Sequence, residues 1–321
     1  MSGSQNDPAE RGTIQTWLRS AIGAVLLLAL VGTQSALPPI GSPPAQASVA
    51  VVEPLTDEEW AHHVEEVRQR TDEGLAQGLA TDVQYTTGGD RVHWLPERVL
   101  LQREIVDELY ARGAEVPSDG AAVFTGGLPG AGKTTALKQN PHIDPDDYLV
   151  VNSDDVKQEM CERGMIPELP GLAPMEAADL IQEESSLVSK MLADRAYRER
   201  KNIIWDITMS SAGSVNKRLD AMRGSGYHEI KALFLDVPVE TSVERVDQRH
   251  RRGYEKFRNG DRCNGRYVPA ELIRESADPQ WGSVNRKAFE ATKGRFDQWF
   301  RYDASGNEPV LVAAGEGNQP E

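Results

Sequence analysis

The sequence predicts an α/β fold in which a parallel sheet is flanked by helices, with a helical extension before it. From residue 121 onward, short apolar segments alternate with helical segments, which is typical of parallel strands covered on both faces. A glycine-rich loop separates the first apolar segment from the helix that follows it. Between residues 56 and 115, apolar residues recur at helical spacing. The predicted strands are 121–125, 148–152, 202–206 and 229–237.

The predicted helical extension covers residues 56–115. Thr56 precedes three acidic residues and Trp60, which is the pattern of a capped helix start. A second amphipathic helix is predicted over 95–112, where Pro96 takes a first-turn position that tolerates proline. Further helices are predicted over 133–139, 154–163, 175–200, 214–224 and 239–252.

The C-terminal residues 304–321 are rich in glycine, asparagine and glutamate. This composition predicts a flexible tail, with an edge strand at 310–312 as the alternative. We therefore expect the main α/β domain to occupy residues 116–303.

Residues 1–55 are expected to be a leader followed by a Pro/Ala-rich linker. An apolar run at 21–31 follows two arginines and precedes Ala45-Gln46-Ala47, so the segment 11–47 resembles a signal peptide or a membrane tether. A leader without function is the alternative, because acidic residues offset the two arginines. The apolar run is shorter than the roughly 20 residues of a spanning helix, and we expect membrane contact only through this segment.

The charge composition argues against a nucleic-acid-binding protein. The chain has 35 basic and 50 acidic residues, a net charge of −15, whereas affinity for nucleic acid depends on clustered positive charge. Its two cysteines, Cys161 and Cys263, lack a metal-binding spacing, and we expect free thiols that suit a reducing compartment. The six histidines show no spacing typical of a metal site or a hydrolase.

The glycine-rich loop matches the phosphate-binding P-loop pattern G-x-x-x-x-G-K-[ST] at every specified position. Glycines let backbone N–H groups approach a phosphate, and the next helix directs its positive end toward the anion. We expect Lys133 to reach the β- and γ-phosphates of ATP or GTP, and the Thr134 hydroxyl to bind Mg²⁺. The predicted nucleotide-binding residues are Gly127, Leu128, Pro129, Gly130, Ala131, Gly132, Lys133, Thr134 and Thr135.

Polar residues follow the second and third predicted strands, where open α/β sheets bind their ligands. Asp154 is the candidate catalytic base for a substrate hydroxyl, although Ser153 or Asp154 could instead cap a helix. Asp206 ends an apolar strand as a Walker B aspartate does, and we expect it to bind Mg²⁺. Thr208 and Ser210 come next and are predicted to bind a small-molecule acceptor.

Basic residues concentrate in the segment 245–266. Two interpretations stay open: a solvated basic loop, or a mobile lid that supplies arginines to a transferring phosphoryl group. In the second interpretation, Arg245 and Arg266 are the predicted catalytic arginines, each worth roughly 10³–10⁵ in rate. The basic residues are Arg245, Arg249, Arg251, Arg252, Lys256, Arg258, Arg262 and Arg266.

Together, these residues resemble the zeta toxin family of P-loop kinases. The resemblance implies a P-loop kinase-type sheet and a cytoplasmic kinase that phosphorylates UDP-N-acetylglucosamine from ATP or GTP with Mg²⁺. It also implies Asp154 as base, Arg245 and Arg266 as phosphate-stabilising arginines, and a small antitoxin protein as partner. The matching stretches are the phosphate loop, 151–157, 205–208, 244–245 and 265–269, within a region of about 95–276.

The acceptor side departs from the family pattern, because Ser210 stands where well-studied members carry an arginine. An antibiotic or nucleoside phosphotransferase of the same fold is therefore one alternative. A second alternative is a nucleotide-gated binding module that hydrolyses ATP slowly without transferring phosphate.

Overall fold

Five parallel strands and one antiparallel edge strand form the central sheet. The computed structural model describes residues 53–317, so the predicted leader lies almost wholly outside the described residues. All four predicted strands are confirmed, with ends that differ by at most one residue. The strands are Ala121–Gly126 (β1), Leu149–Val151 (β2), Ile203–Asp206 (β3), Glu229–Asp236 (β4), Gln298–Asp303 (β7) and Val310–Glu316 (β8), beside a short hairpin of Ala277–Asp278 (β5) and Gly282–Ser283 (β6).

The sheet has the order β2-β3-β1-β4-β7-β8. Strand β3 therefore lies between β1 and β2, and its partners are set in register, with Thr125 opposite Asp206 and Val151 opposite Trp205. Because parallel strands end at the same edge of a sheet, the loops after β1, β2 and β3 converge at that edge.

The predicted helices are confirmed apart from one division and several short additions. The segment predicted as one helix over 175–200 contains a 3₁₀ helix, Pro174–Ile181, followed by an α-helix from Gln182. Ile181 lies at φ −114° and ψ 13°, outside the α-helical region, and divides the two. The α-helices are Asp57–Ala76 (α1), Thr81–Gln84 (α2), Pro96–Arg112 (α3), Lys133–Gln139 (α4), Ser153–Glu162 (α5), Gln182–Glu199 (α6), Ala212–Gly224 (α7), Val239–Arg258 (α8), Ala270–Arg274 (α9) and Val284–Thr292 (α10).

Apolar residues cover both faces of the sheet. Successive strand residues point to opposite faces, so Phe124 belongs to one buried cluster while Val123 belongs to another, with Leu233. Burial of both faces is why the strands are continuous apolar runs in the sequence instead of alternating patterns.

Within the described residues, the helical extension packs as part of the same compact unit as the sheet. Thr56 caps α1 through a reciprocal capping box with Glu59, as predicted. Helix α3 is joined to α6 by a buried ion pair in which Arg98 Nε donates to Glu184 Oε1 at 2.8 Å and Arg98 Nη2 to Glu184 Oε2 at 2.8 Å.

The two cysteines form a disulfide between Cys161, in α5, and Cys263, in the segment after α8. The prediction of two free thiols is therefore wrong. The pair is separated by 102 residues in sequence, yet the fold brings the two Cα atoms to 5.8 Å. Spacing along the chain carries no information about a contact of this kind.

The C-terminal part of the sheet contains two strands that differ from the sequence prediction. Strand β7 was not predicted, and β8 occupies residues 310–316 of the expected flexible tail, in agreement with the alternative of an edge strand. The aromatic residues Trp299, Phe300 and Tyr302 are mixed with polar residues in β7, so this strand lacks the continuous apolar run of β1. Among the described residues, no helix is long and apolar enough to cross a membrane.

Candidate active site

The phosphate loop connects β1 to α4 and depends on glycine at two positions. At Gly127, φ is +124° and a Cβ would lie 2.4 Å from the Leu235 carbonyl oxygen, so any side chain would clash. Gly132 precedes α4 at φ +86°, a left-handed conformation that glycine adopts at low cost. The loop thereby turns sharply and starts a helix whose N–H groups face the cavity.

A cleft of about 960 Å³ lies over the carboxyl ends of β1, β2 and β3. Two residues predicted to bind nucleotide do not line it. The Leu128 side chain packs in the core, and the Gly127 N–H donates to the Thr208 carbonyl at 3.1 Å. The predicted nucleotide-binding residues that line the cleft are Pro129, Gly130, Ala131, Gly132, Lys133, Thr134 and Thr135.

Lys133 reaches across the floor of the cleft to the end of β3. Its Nζ lies 3.0 Å from Asp206 Oδ1 and donates to the Ile207 carbonyl at 3.0 Å. The Thr125 hydroxyl donates to the same Asp206 oxygen at 2.7 Å. The start of α4 and the end of β3 thus place a lysine and a carboxylate where the phosphates of a nucleotide would lie.

Asp154 lies in the first turn of α5, and its carboxylate does not cap the helix, because Asn152 is the capping residue. The Asp155 N–H donates to Asn152 Oδ1 at 2.6 Å, so the capping alternative for Asp154 and Ser153 is wrong. The Asp154 side chain is 53% exposed and forms an ion pair with Arg266. Burial would raise the pKa of this carboxyl, but the cations led by Arg266 and Lys157 outweigh it and hold the pKa below its usual range.

Most of the basic segment is helical, so the interpretation as a solvated loop is wrong. Residues up to Arg258 continue α8, and Cys263 anchors the remainder to α5. One face of α8 presents arginines to the cleft at helical spacing. The arginines that line the cleft are Arg245, Arg249, Arg252 and Arg266, together with Arg218.

Arg249 was not singled out from the sequence, and its position beside the candidate base makes it a site residue. Burial and the Arg266 cation lower the pKa of Arg249, while Asp154 opposes them. Arg245 also lines the cleft, but its guanidinium donates to the Ala304 carbonyl at 2.9 Å and to the Gly306 carbonyl. The spacing of Arg245 and Arg249, four residues apart on a helix, is the sequence signal that could have identified the pair.

The opposite end of the cleft is polar and includes both predicted acceptor-binding residues. Ser210 is exposed, whereas the Thr208 carbonyl is held by the Gly127 N–H and by Asn285 Nδ2 at 2.8 Å. Arg218 stacks over Trp205 with its Cζ 4.8 Å from the ring centroid. Helix α6 also contributes a polar face to the cleft, which the sequence analysis did not predict because it identified only the apolar stripe of this helix. The residues of this face are Gln182, Glu183, Ser186, Ser189 and Lys190.

A zeta toxin family model matches residues 108–292, more than half of the chain. The chain belongs to the zeta toxin family. This assignment confirms the resemblance seen in the phosphate loop and the strand ends. It identifies the chain as a member of a family of P-loop toxin kinases, with the fold of an ATP-dependent phosphotransferase.

Two solved structures with TM-scores above 0.5 share the fold of this chain. A crystal structure of AvrRxo1-ORF1:-ORF2 with ATP aligns with a TM-score of 0.55 at 17% identity, covering 73% of this chain and 76% of that chain. A second structure of that complex, with sulphate ions, aligns with a TM-score of 0.53 at 16% identity, covering 75% and 78%. The PezAT toxin–antitoxin system of Streptococcus pneumoniae gives 0.49 at 13% identity, covering 67% and 80%. No curated protein matches the chain.

Proposed function

We propose that this zeta toxin transfers the γ-phosphoryl group of ATP to a hydroxyl of a small molecule, with UDP-N-acetylglucosamine as the acceptor indicated by its family. The observation that carries the proposal is the position of Asp154. This carboxylate is not used as a helix cap, it is ionised at neutral pH, and it faces the same cleft as the phosphate loop. A nucleotide-binding module without transferase activity would not require such a group.

In the proposed reaction, the acceptor oxygen attacks the γ-phosphorus while its proton passes to an Asp154 oxygen. The bond between the γ-phosphorus and the β–γ bridging oxygen breaks, and ADP leaves. Lys133, Arg249 and Arg266 line the cleft and would stabilise the negative charge on the transferring group. Arg266 pairs with Asp154 here, so it is already held where acceptor and phosphoryl group would meet.

The residues that would hold Mg²⁺ are Thr134 and Asp206. Magnesium prefers oxygen ligands, retains several waters and is usually bound by one or two carboxylates with phosphate oxygens. Thr134 is exposed in the cleft at the start of α4, and the Asp206 carboxylate lies at the end of the neighbouring strand. This donor set fits the ion, which would neutralise phosphate charge when bound with ATP.

The identity of the acceptor is the finer part of the proposal. The polar cleft wall near Thr208 and Ser210 suits a hydroxyl-rich molecule. Ser210 stands where well-studied members carry an arginine. A sugar nucleotide would therefore meet a hydroxyl here instead of a guanidinium. An antibiotic or nucleoside acceptor is the second candidate, and the same polar wall would accommodate it.

The test is a ³¹P NMR experiment on full-length protein with ATP, Mg²⁺ and candidate acceptors. We expect a new phosphomonoester signal with UDP-N-acetylglucosamine, which mass spectrometry would identify. Asp154→Asn should lower the transfer rate by roughly 10²–10⁴-fold, the usual contribution of a general base. Asp194→Asn, on the exposed face of α6, is the control and should keep normal turnover. Release of inorganic phosphate alone would overturn the transferase proposal.

We further propose that the toxin acts in the cytoplasm and that an antitoxin protein neutralises it. The AvrRxo1 structures are complexes of two reading-frame products, one bound with ATP, which supports a protein partner for this chain. Expression of the wild-type chain should stop growth, whereas Asp154→Asn should not. Equal toxicity of the two would contradict a kinase-based toxin.

A further inference from the structure

Two histidines and a glutamate meet behind the arginine-lined wall of the cleft. His63 comes from α1, Glu176 from the 3₁₀ helix and His250 from α8, three segments far apart in sequence. His63 Nε2 lies 2.6 Å from Glu176 Oε1, and His250 Nε2 lies 2.8 Å from the same oxygen. All three side chains are buried. No local pattern predicts this cluster, because its histidines are not neighbours in the chain.

The three ligand atoms are supplied in the way that metal sites require. The Nε2 atoms of both imidazoles face the same carboxylate oxygen, Glu176 Oε1, and the three possible ligand atoms lie within 4.8 Å of one another. The other oxygen of Glu176 accepts the Ala173 N–H at 2.8 Å. That hydrogen bond fixes the carboxylate from outside, as the supporting partners of metal ligands do. Oxygen Oε1 is left facing the histidines.

An apolar shell surrounds the cluster. The Trp60 ring lies 4.6 Å from the His250 ring and 5.5 Å from the His63 ring, and the Tyr254 ring lies 4.1 Å from His63. In this shell an ionised carboxylate is costly unless its charge is compensated. A divalent cation at this point would supply both ligation and compensating charge.

We propose that His63, Glu176 and His250 bind a divalent transition metal, with Zn²⁺ the best match. Two histidines and one glutamate form a known three-ligand zinc set that leaves one position for water. With bonds of about 2.0–2.2 Å, tetrahedral ligand atoms are separated by roughly 3.3 Å. The N···O distances of 2.6 and 2.8 Å would therefore widen by about 0.5–0.7 Å on metal binding.

The ion would connect the helical extension to the catalytic wall. His250 follows Arg249 directly in α8, and the His250 ring lies 5.4 Å from the ring of Tyr267, the neighbour of Arg266. Trp60 Nε1 also donates to Asp247 Oδ1 at 2.9 Å. The metal would thus hold α1 against α8 and keep both arginines in position without touching substrate.

The proposal is tested by metal binding to the full-length, tag-free protein with its disulfide intact and excess Mg²⁺ present. The protein is stripped with EDTA, dialysed and titrated with Zn²⁺, or with Co²⁺ as a spectroscopic probe. We expect one equivalent of Zn²⁺ by elemental analysis, visible absorption typical of four-coordinate Co²⁺, and a higher melting temperature with Zn²⁺.

Variants separate this site from other metal-binding groups. His250→Ala removes a ligand and Glu176→Gln removes the charge of one. Each should weaken Co²⁺ binding by about 100-fold or more, at or above the cost of losing a supporting partner of a ligand. His62→Ala, on the exposed face of α1 next to His63, is the matched control and should bind normally. Circular dichroism establishes that each variant is folded, and the milder Glu176→Gln serves if His250→Ala is not. Absence of bound metal in the wild type, or equal binding by Glu176→Gln, would overturn the proposal and leave a hydrogen-bonded cluster.

Discussion

Arg266 and Asp154 form an ion pair across the wall of the active-site cleft. The two residues come from different segments, the loop after α8 and the first turn of α5. Their pairing couples the candidate base to a cation that would also face the transferring phosphoryl group.

Replacing Arg266 with alanine should lower kcat by about 10³-fold or more, the range for an arginine that stabilises phosphoryl transfer. It should also raise the pKa of Asp154, because Arg266 is the cation that lowers it most. The acidic limb of the pH–rate profile would therefore move to higher pH. Arg262→Ala, an exposed arginine in the same segment, is the control. An unchanged acidic limb in Arg266→Ala would contradict the coupling.

Arg249 and Arg245 should have different roles although both line the cleft. Arg249 lies close to Asp154 and Arg266, so Arg249→Ala should lower kcat by about 10³-fold with little effect on stability. The Arg245 guanidinium is held by the Ala304 and Gly306 carbonyls. Arg245→Ala should therefore lower the melting temperature, which Arg249→Ala should leave nearly unchanged. Steady-state kinetics and thermal unfolding of both variants check this, and the reverse assignment would refute it.

The disulfide should contribute substantially to stability. Breaking the Cys161–Cys263 bond by Cys→Ser substitution should lower the free energy of unfolding by about 2–4 kcal/mol, typical of a native disulfide. Urea unfolding with and without reductant measures the effect on the wild type. The doubly substituted protein is the control and should not respond to reductant. If reductant left the wild-type midpoint unchanged, the bond would have no role in stability.

Lys157 should make stability rise with pH on the alkaline side. This lysine is fully buried, and burial and then the Arg266 cation lower its pKa from 10.5 to about 8. Between these values the unfolded chain binds more protons than the folded chain, so the free energy of unfolding increases with pH. Below pH 8 both states are protonated and the slope vanishes.

Chemical unfolding of Lys157→Met across the same pH range is the comparison. The variant lacks the titrating amine, so the difference between wild type and variant should change between pH 8 and 10.5 and stay flat below. A constant difference across that range would show that Lys157 titrates normally in the folded protein.

Local patterns were enough to predict the parts of the fold and site that neighbouring residues determine. The phosphate loop is one example, because its glycines and Lys133 are close neighbours in the sequence. The cap of α5 shows the limit: Asn152, Ser153 and Asp154 are all capable caps, and only the observed hydrogen bond selects Asn152.

Contacts between distant segments could not be predicted from one sequence. Cys161 and Cys263 become neighbours only after α5 and the segment beyond α8 have packed together. His63 and His250 meet for the same reason, through Glu176. Strand order has the same origin, since no local signal places β3 between β1 and β2.

The contacts of α1 also define how much of the N-terminal region the enzyme can lose. Arg251 of α8 pairs with Asp57 at 2.7 Å, and Arg258 donates to the Glu53 carbonyl at 2.7 Å. Proteolytic removal of sequence before residue 53 would leave every one of these contacts in place. A cut after Thr56 would instead remove the cap of α1 and the Glu53 carbonyl that accepts from Arg258. The first turn of the helix that carries His63 would then lose both supports.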